Sequence, residues 1–206
     1  MDSLNAENFY RITGHDRLDE VLEGVDAALD VGFEAVKLNV VLLKGLNDHE
    51  WPAYSELARH KAVTIRFIEL MQTGDNLAFF KERHVSADGL RDSLEETGWQ
   101  PQPRQFEAGP AEVYSHAEYK GKIGLIAPYA PGFCQSCNRL RVTATGDLRL
   151  CLFGESGTPL RDLLQSDDQK EALKTRIAEQ LAYKASSHFL PFGKTGITPH
   201  LASVGG

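Results

Sequence analysis

Cysteine is scarce in this 206-residue chain: Cys134, Cys137 and Cys151 are its three copies, and none precedes them. An odd number of thiols at short spacing argues against a disulfide-stapled scaffold and points to metal or redox use. Long apolar runs are also missing. No stretch approaches the roughly eighteen consecutive apolar residues of a membrane-spanning helix, and the opening MDSLNAENFY has neither the basic nor the apolar region of a secretory signal. The expected location is therefore cytoplasmic, with no membrane partner. A basic excess is lacking too, with 22 Lys and Arg against 29 Asp and Glu and a formal charge of −7. That balance argues against nucleic-acid binding, which needs a basic face to neutralise phosphates.

What is present is an ordinary globular composition, 42% apolar and 25% charged, at a length that suggests one domain or one with an appendage. At this size about 70% of the unfolded surface is buried on folding, so a metal is not needed merely to hold the fold together. Between Cys134 and Cys151 three Arg stand against one Asp. This local reversal of sign suits a small anion, although a solvated basic turn has the same composition.

Leu18, Val21, Leu22, Val25 and Leu29 recur at helical steps and predict a helix ending near Gly32. Residues 35–42 alternate, with Val36, Leu38, Val40 and Leu42 on one face and Lys37, Asn39 and Val41 on the other, as in a half-buried strand. A helix starting near Pro52 and burying Tyr54, Leu57 and Ala58, then a strand over 64–71, complete a βαβ unit. Its strands should be parallel, with chemistry at their carboxyl ends. That singles out Glu69 and Met71 on a common face, and Lys37 and Asn39 on the preceding strand. The plainer reading of Glu69 is a carboxylate paired with Arg or Lys.

After a helix over 86–97, the loose stretch 101–110 reads as a domain boundary. Beyond it the pattern predicts short antiparallel strands at 111–115 and 121–126 and a hairpin of 139–144 with 147–152. A last helix near 169–183 carries Leu173, Ile177 and Leu181 at four-residue steps. Two or three parallel strands neither close a barrel nor complete a doubly wound sheet, so an apolar edge should be left unpaired.

Thiolates spaced as Cys134, Cys137 and Cys151 can grip one metal centre from a loop and a returning strand, leaving a coordination position open. Arg139 and Arg141, two apart on a strand with Leu140 packed beneath, would direct two guanidinium forks at one phosphate or carboxylate. An iron-sulfur cluster with one iron free for an outside donor is the sharp reading. A closed zinc site with His116 or His188 as fourth ligand remains open on spacing alone. A thioredoxin-like CQSC is a weaker fit, because it leaves Cys151 unexplained.

The segments FCQSCNRLRVTATGDLRLCLFGE, RFIELMQTGDN and VKLNVVLLKGLND, the RITG at 11–14 and the terminal Gly205-Gly206 together resemble the MoaA family of molybdenum-cofactor biosynthesis. These are radical S-adenosylmethionine GTP 3′,8-cyclases, and the resemblance covers essentially the whole chain. It implies an α/β fold: the C-terminal βα units of an incomplete (β/α) barrel over 1–100, then a small α+β iron-sulfur domain over 101–206. It further implies Cys134, Cys137 and Cys151 as ligands of a 4Fe-4S cluster whose free iron meets guanine, and Lys37, Arg139, Leu140 and Arg141 as GTP contacts. Met71 would contact S-adenosylmethionine, and Gly205 and Gly206 would form a flexible tail entering the active site. The implied reaction converts GTP to (8S)-3′,8-cyclo-7,8-dihydroguanosine 5′-triphosphate, and a homodimer is among the implied assemblies.

The chain departs from the family in one large respect: with no cysteine before Cys134, the first-cluster motif Cys-x3-Cys-x2-Cys is absent. The expectation is that the chain begins midway through a barrel strand, carries the second cluster and GTP site only, and starts no radical step unless an N-terminal part is supplied. No residue is assigned as catalytic. The alternatives are a stand-alone GTP and iron-sulfur binding module and a zinc-stabilised structural domain.

Overall fold

The computed structural model describes residues 1–104, 108–135 and 137–201. They form two compact units, one of 1–70 with 81–127 and the other of 71–80 with 128–206.

The first unit opens with helix α1 (Ala6–Thr13), started by the Asn5 side chain accepting from the Asn8 N–H and ended by Gly14 in the left-handed region. The RITG sequence is thus a helix end, and no periodicity had predicted the helix it closes. Helix α2 (Leu18–Val31) ends at Gly32 as expected. Strand β1 (Val36–Leu42) buries Leu38, Val40 and Leu42 and exposes Lys37 and Asn39. Helix α3 (Trp51–His60), with Pro52 in its first turn, buries Tyr54, Ser55 and Ala58 while Leu57 is only half-buried. Strand β2 (Val63–Glu69) pairs parallel with β1, setting Lys37 opposite Thr64 and Asn39 opposite Arg66.

Helix α4 (Leu77–Arg83), which the sequence had left undefined, precedes α5 (Asp88–Glu96). Strands β3 (Gln100–Pro101), β4 (Glu112–Ser115) and β5 (Lys122–Ile126) complete a five-stranded sheet of order β1-β2-β5-β4-β3. Strand β5 is parallel to β2, whereas β4 and β3 are antiparallel additions. The compact units therefore divide after Ala127 rather than at the expected boundary after 100. Backbone pairing continues past the prolines, since the Gln102 N–H donates to the Val113 carbonyl at 2.7 Å. Gly121 lets β5 begin close to β2: a Cβ there would lie 2.5 Å from the Val63 carbonyl oxygen.

The core is the row Val40, Ile65, Phe67, Ile123 and Leu125, covered by Tyr54, Leu94, Trp99 and Tyr114, all at most 1% exposed. Each large apolar side chain so buried contributes about 1.5–3 kcal/mol, which makes this sheet the framework of the unit. The free edge of β1 is partly satisfied by the first residues. The Met1 ammonium donates to the Asn39 carbonyl at 2.9 Å and the Val41 N–H to Asp2 Oδ1 at 2.8 Å. Ser3, Leu4 and Asn8 all donate to the buried Glu50 carboxylate, whose oxygens are thereby satisfied.

Glu69 closes β2 and is 2% exposed. Its partner is neither Arg nor Lys but His84, whose Nε2 lies 2.7 Å from Oε1. Burial pushes the Glu69 carboxyl up, while His84 and the Ala87 backbone N–H at the start of α5 draw it down. The arrangement ties the end of β2 to a helix N-terminus, where a carboxylate is favoured. Met71 lies beyond the strand, in the other compact unit, so the expected common face with Glu69 does not form.

The second unit contains an antiparallel sheet of β6 (Arg141–Val142), β7 (Asp147–Arg149) and β8 (Thr158–Pro159) in that order. The hairpin turns where expected, at Thr145-Gly146, with Gly146 at φ 84°, but its strands are shorter than predicted. Leu148, Phe153, Leu160 and Leu190 form the small buried core. Helix α6 (Lys170–Leu181) buries none of its residues, so the Leu173, Ile177 and Leu181 stripe is no core face. Polar contacts hold it, including Arg176 to Asp162 at 2.7 Å and Thr158 to Gln180 at 2.8 Å. Among the described residues no helix is long and apolar enough to cross a membrane.

Candidate functional site

The cysteine loop is a run of tight turns. Phe133, Gln135 and Cys137 donate their N–H groups to the carbonyls of Ala130, Gly132 and Cys134 at 3.3, 3.0 and 3.1 Å. Chain reversal on this scale keeps Cys134 and Cys137 close to the start of β6. The hairpin then returns Cys151, two residues past the end of β7 and fixed by a Gly154 N–H to Cys151 carbonyl bond of 3.2 Å. All three cysteines are free thiols of intermediate exposure.

Charge around the sulfurs is distributed unevenly. Burial raises the Cys137 thiol, but the Arg139 backbone N–H, the Lys184 ammonium and the Arg139 guanidinium outweigh it and hold Cys137 below the ordinary thiol range. Lys184 Nζ sits 3.7 Å from Cys137 Sγ and donates to the Arg139 carbonyl at 2.8 Å. Cys151 lies above that range, chiefly through burial and further through the negative charges of Cys134 and Cys137. Burial and the neighbouring Arg139 charge push Arg141 down, while Cys137 and Cys151 oppose them.

The second unit thus contains three sulfur donors, two expected guanidinium groups and an unforeseen lysine that reaches the Cys137 sulfur. Sulfurs that repel one another and draw in cations suit an electropositive or cation-lined metal centre. Among the described residues, however, no three Cys, His, Asp or Glu side chains are gathered into a group that could hold a metal ion. The donor types fit a thiolate-bound cluster; an assembled coordination shell is not part of this arrangement.

Other expected residues are placed differently. Leu140 is 37% exposed rather than packed beneath its neighbours, because β6 begins only at Arg141 and Arg139 precedes it. The Arg139 guanidinium stands 6.0 Å over the Phe133 ring. Lys37 is exposed on β1 in the first unit. Met71 belongs to the same unit as the cysteines, and its carbonyl accepts from Asn76 Nδ2 at 2.9 Å. That segment is held by Gly74 and Asp75 N–H bonds to the Thr198 and Pro199 carbonyls at 3.2 and 3.1 Å. Gly205 and Gly206 lie outside the described residues.

Of the two histidines considered as metal ligands, His116 belongs to the first unit, its ring 5.7 Å from Trp99 and 4.8 Å from Tyr119. His188 is buried in the second unit between Phe133 and Phe153, its Nδ1 accepting from the Leu190 N–H at 3.2 Å. Burial lowers the His188 pKa below its ordinary 6.5 against the pull of nearby carbonyls. A base depressed in the folded state adds stability above its unfolded pKa of about 6.5, and this is lost as pH falls towards the folded value. The thermal midpoint should therefore fall between pH 7 and 5, as roughly that window brackets the unfolded titration, and His188→Gln should remove this component. Parallel pH profiles for the two proteins in calorimetry would refute the assignment.

The residue missed from the sequence is Lys184, which carries no motif.

Comparison with known proteins places these features in context. Residues 63–190 match the family described as Molybdenum Cofactor Synthesis C. The whole chain is 55% identical to a GTP 3′,8-cyclase of Stenotrophomonas maltophilia (strain R551-3) over 206 residues, covering 63% of that protein. GTP 3′,8-cyclases of Vibrio parahaemolyticus and Vibrio cholerae are each 52% identical over the full chain, which covers 62% of either. The chain thus spans less than two thirds of the length of these relatives.

Proposed function

Since the chain belongs to the Molybdenum Cofactor Synthesis C family, we propose that it is the cluster- and nucleotide-holding part of a GTP 3′,8-cyclase. The observation that carries this reading is that Cys134, Cys137 and Cys151 share one unit with Arg139, Arg141 and Lys184, whose charges are felt at the sulfurs. The sequence identity to proteins named for that activity supports it.

In this reading the three cysteines hold a 4Fe-4S cluster, which when bound supplies an iron open to a nucleobase donor. Lys184 and the Arg139 N–H favour the thiolate of Cys137, and so prepare it as a ligand. Arg139 and Arg141 take the phosphates of GTP through charge-assisted, forked hydrogen bonds. Mutual repulsion between the two guanidinium groups, already felt at Arg141, is relieved when an anion lies between them. Leu140 presents backbone and an exposed apolar side chain to the nucleotide, and the family resemblance implies Lys37 as a further GTP contact. Met71 contacts S-adenosylmethionine, and the first unit is the remaining part of an incomplete (β/α) barrel. The small-molecule partners are GTP and S-adenosylmethionine, and the location is cytoplasmic.

The test is GTP binding by the anaerobically reconstituted chain in equilibrium dialysis. Arg139→Ala and Arg141→Ala should each weaken it roughly 10- to 100-fold, the range for losing a hydrogen bond to a charged group, with iron content unchanged. Unaltered affinity in both variants, or a protein that takes up zinc and no iron-sulfur cluster under these conditions, would overturn the reading.

A further inference from the structure

We propose that Arg149 is an additional phosphate-binding residue, completing a clamp of three guanidinium groups with Arg139 and Arg141. This rests on the nucleotide reading above and extends it to a residue outside the Cys-x2-Cys-Asn-Arg-x-Arg segment.

The register of the hairpin is the first observation. Arg141 on β6 stands directly opposite Arg149 on β7, and directly opposed residues of an antiparallel pair project from the same face with Cβ atoms about 4.5–5.5 Å apart. Like charges so placed destabilise the pair. The hairpin therefore carries a conflict that an anion on this face would resolve. Arg149 also lies two residues before Cys151, the cysteine that the hairpin returns.

Satisfaction of the guanidinium is the second. Arg149 Nε and Nη1 are buried, and among the described residues they have no hydrogen-bond partner and no carboxylate pairs with Arg149. Buried donors are normally bonded, and an unsatisfied charged one is costly. An arginine cannot escape that cost by losing its proton. Its side chain also lies over Gly157, where a Cβ would come within 3.2 Å of Nε and 3.3 Å of Cδ. Glycine thus leaves space for a side chain whose Nε and Nη1 find no partner among the described residues.

A polyphosphate supplies what is missing. Its oxygens accept from a planar fork, and its charge neutralises several arginines at once. A single carboxylate has too little charge for three guanidinium groups. The chemical class expected is therefore a nucleoside triphosphate, with Arg149 reading the phosphate chain rather than the base.

Binding of GTP, inorganic tripolyphosphate and guanosine to the reconstituted chain, measured for the unmodified protein, Arg149→Met and Arg149→Lys, tests this. Arg149→Met should weaken GTP and tripolyphosphate roughly 10- to 100-fold, as for a lost charged hydrogen bond, and leave guanosine unchanged. Arg149→Lys, retaining charge without the fork, should lose less. The clamp is overturned if Arg149→Met binds tripolyphosphate as the unmodified protein does, or loses all three ligands alike, which marks a structural role. The nucleotide reading fails separately, if the unmodified chain shows no preference for GTP over tripolyphosphate. An Arg149-dependent tripolyphosphate site would still uphold the clamp in that case.

Discussion

Cys151→Ser should cost the reconstituted chain most of its iron and, with it, GTP binding. Cys151 is the donor that the hairpin returns to the loop carrying Cys134 and Cys137, and these are the only cysteines available. Serine keeps the size but offers a hard, protonated oxygen in place of a soft thiolate. Changes merely next to metal ligands reduce affinity roughly 10- to 100-fold, so loss of a ligand should exceed that. Iron and acid-labile sulfide analysis after anaerobic reconstitution measures the effect directly. The first unit should keep its fold, because its core of Val40, Ile65, Phe67, Ile123 and Leu125 contains no sulfur ligand. Retention of a full complement of iron would remove Cys151 from the donor set, and the proposed function with it.

The second large effect is expected at Gly196. Its φ of +61° lies in the left-handed region, and a Cβ there would come 2.4 Å from both the Phe153 and Gly154 carbonyl oxygens. Neither obstacle is a side chain that can swing away. An L-residue in that backbone conformation costs about 1–2 kcal/mol, and forced overlap in a packed region about 1–3 kcal/mol more. Gly196→Ala should therefore destabilise by about 2–5 kcal/mol, a large share of the roughly 5–15 kcal/mol that holds a domain together. The segment it disturbs straps the turn that follows Cys151, with the Ile197 N–H on the Gly154 carbonyl at 3.1 Å and Thr198 Oγ1 on the Leu152 carbonyl. Thermal unfolding should begin markedly earlier, and iron retention should fall although no ligand is touched. A midpoint within a degree or so of the parent, against the ~2–4 °C expected per kcal/mol at this size, would show that the turn relaxes freely.

Local patterns carried much of the fold. The helices α2 and α3 and the strands β1 and β2 follow from 3.6- and 2-residue periodicities, because each element buries one face of its own sequence. The short α1 and α4 were hidden for the same reason. Only Phe9 of α1 is buried and none of α4 is, so no apolar stripe announces them. Pro101-Gln102-Pro103 looks like a linker locally, yet Gln102 still bonds to Val113 and β5 reaches far back along the chain to pair with β2, Lys122 standing opposite Thr64.

At the candidate site, the donor chemistry was legible in the residues themselves. Cys134, Cys137 and Cys151 with Arg139 and Arg141 form a compositional signal that needs no coordinates. Leu140 was misread because a strand was assumed to start two residues early, and strand faces reverse or dissolve with such a shift.

The sequence by itself determined which chemical groups this protein can bring to bear, and where its main helices and central strands lie. Those properties depend on side-chain type and on neighbours a few residues apart. Tertiary structure alone decided that Lys184 donates to the Cys137 sulfur and that Met71 joins the unit of the cysteines. These pairings join residues up to 47 positions apart in the directly bonded cases. Their energy comes from burial and charge after the chain has closed on itself, and no local pattern records that.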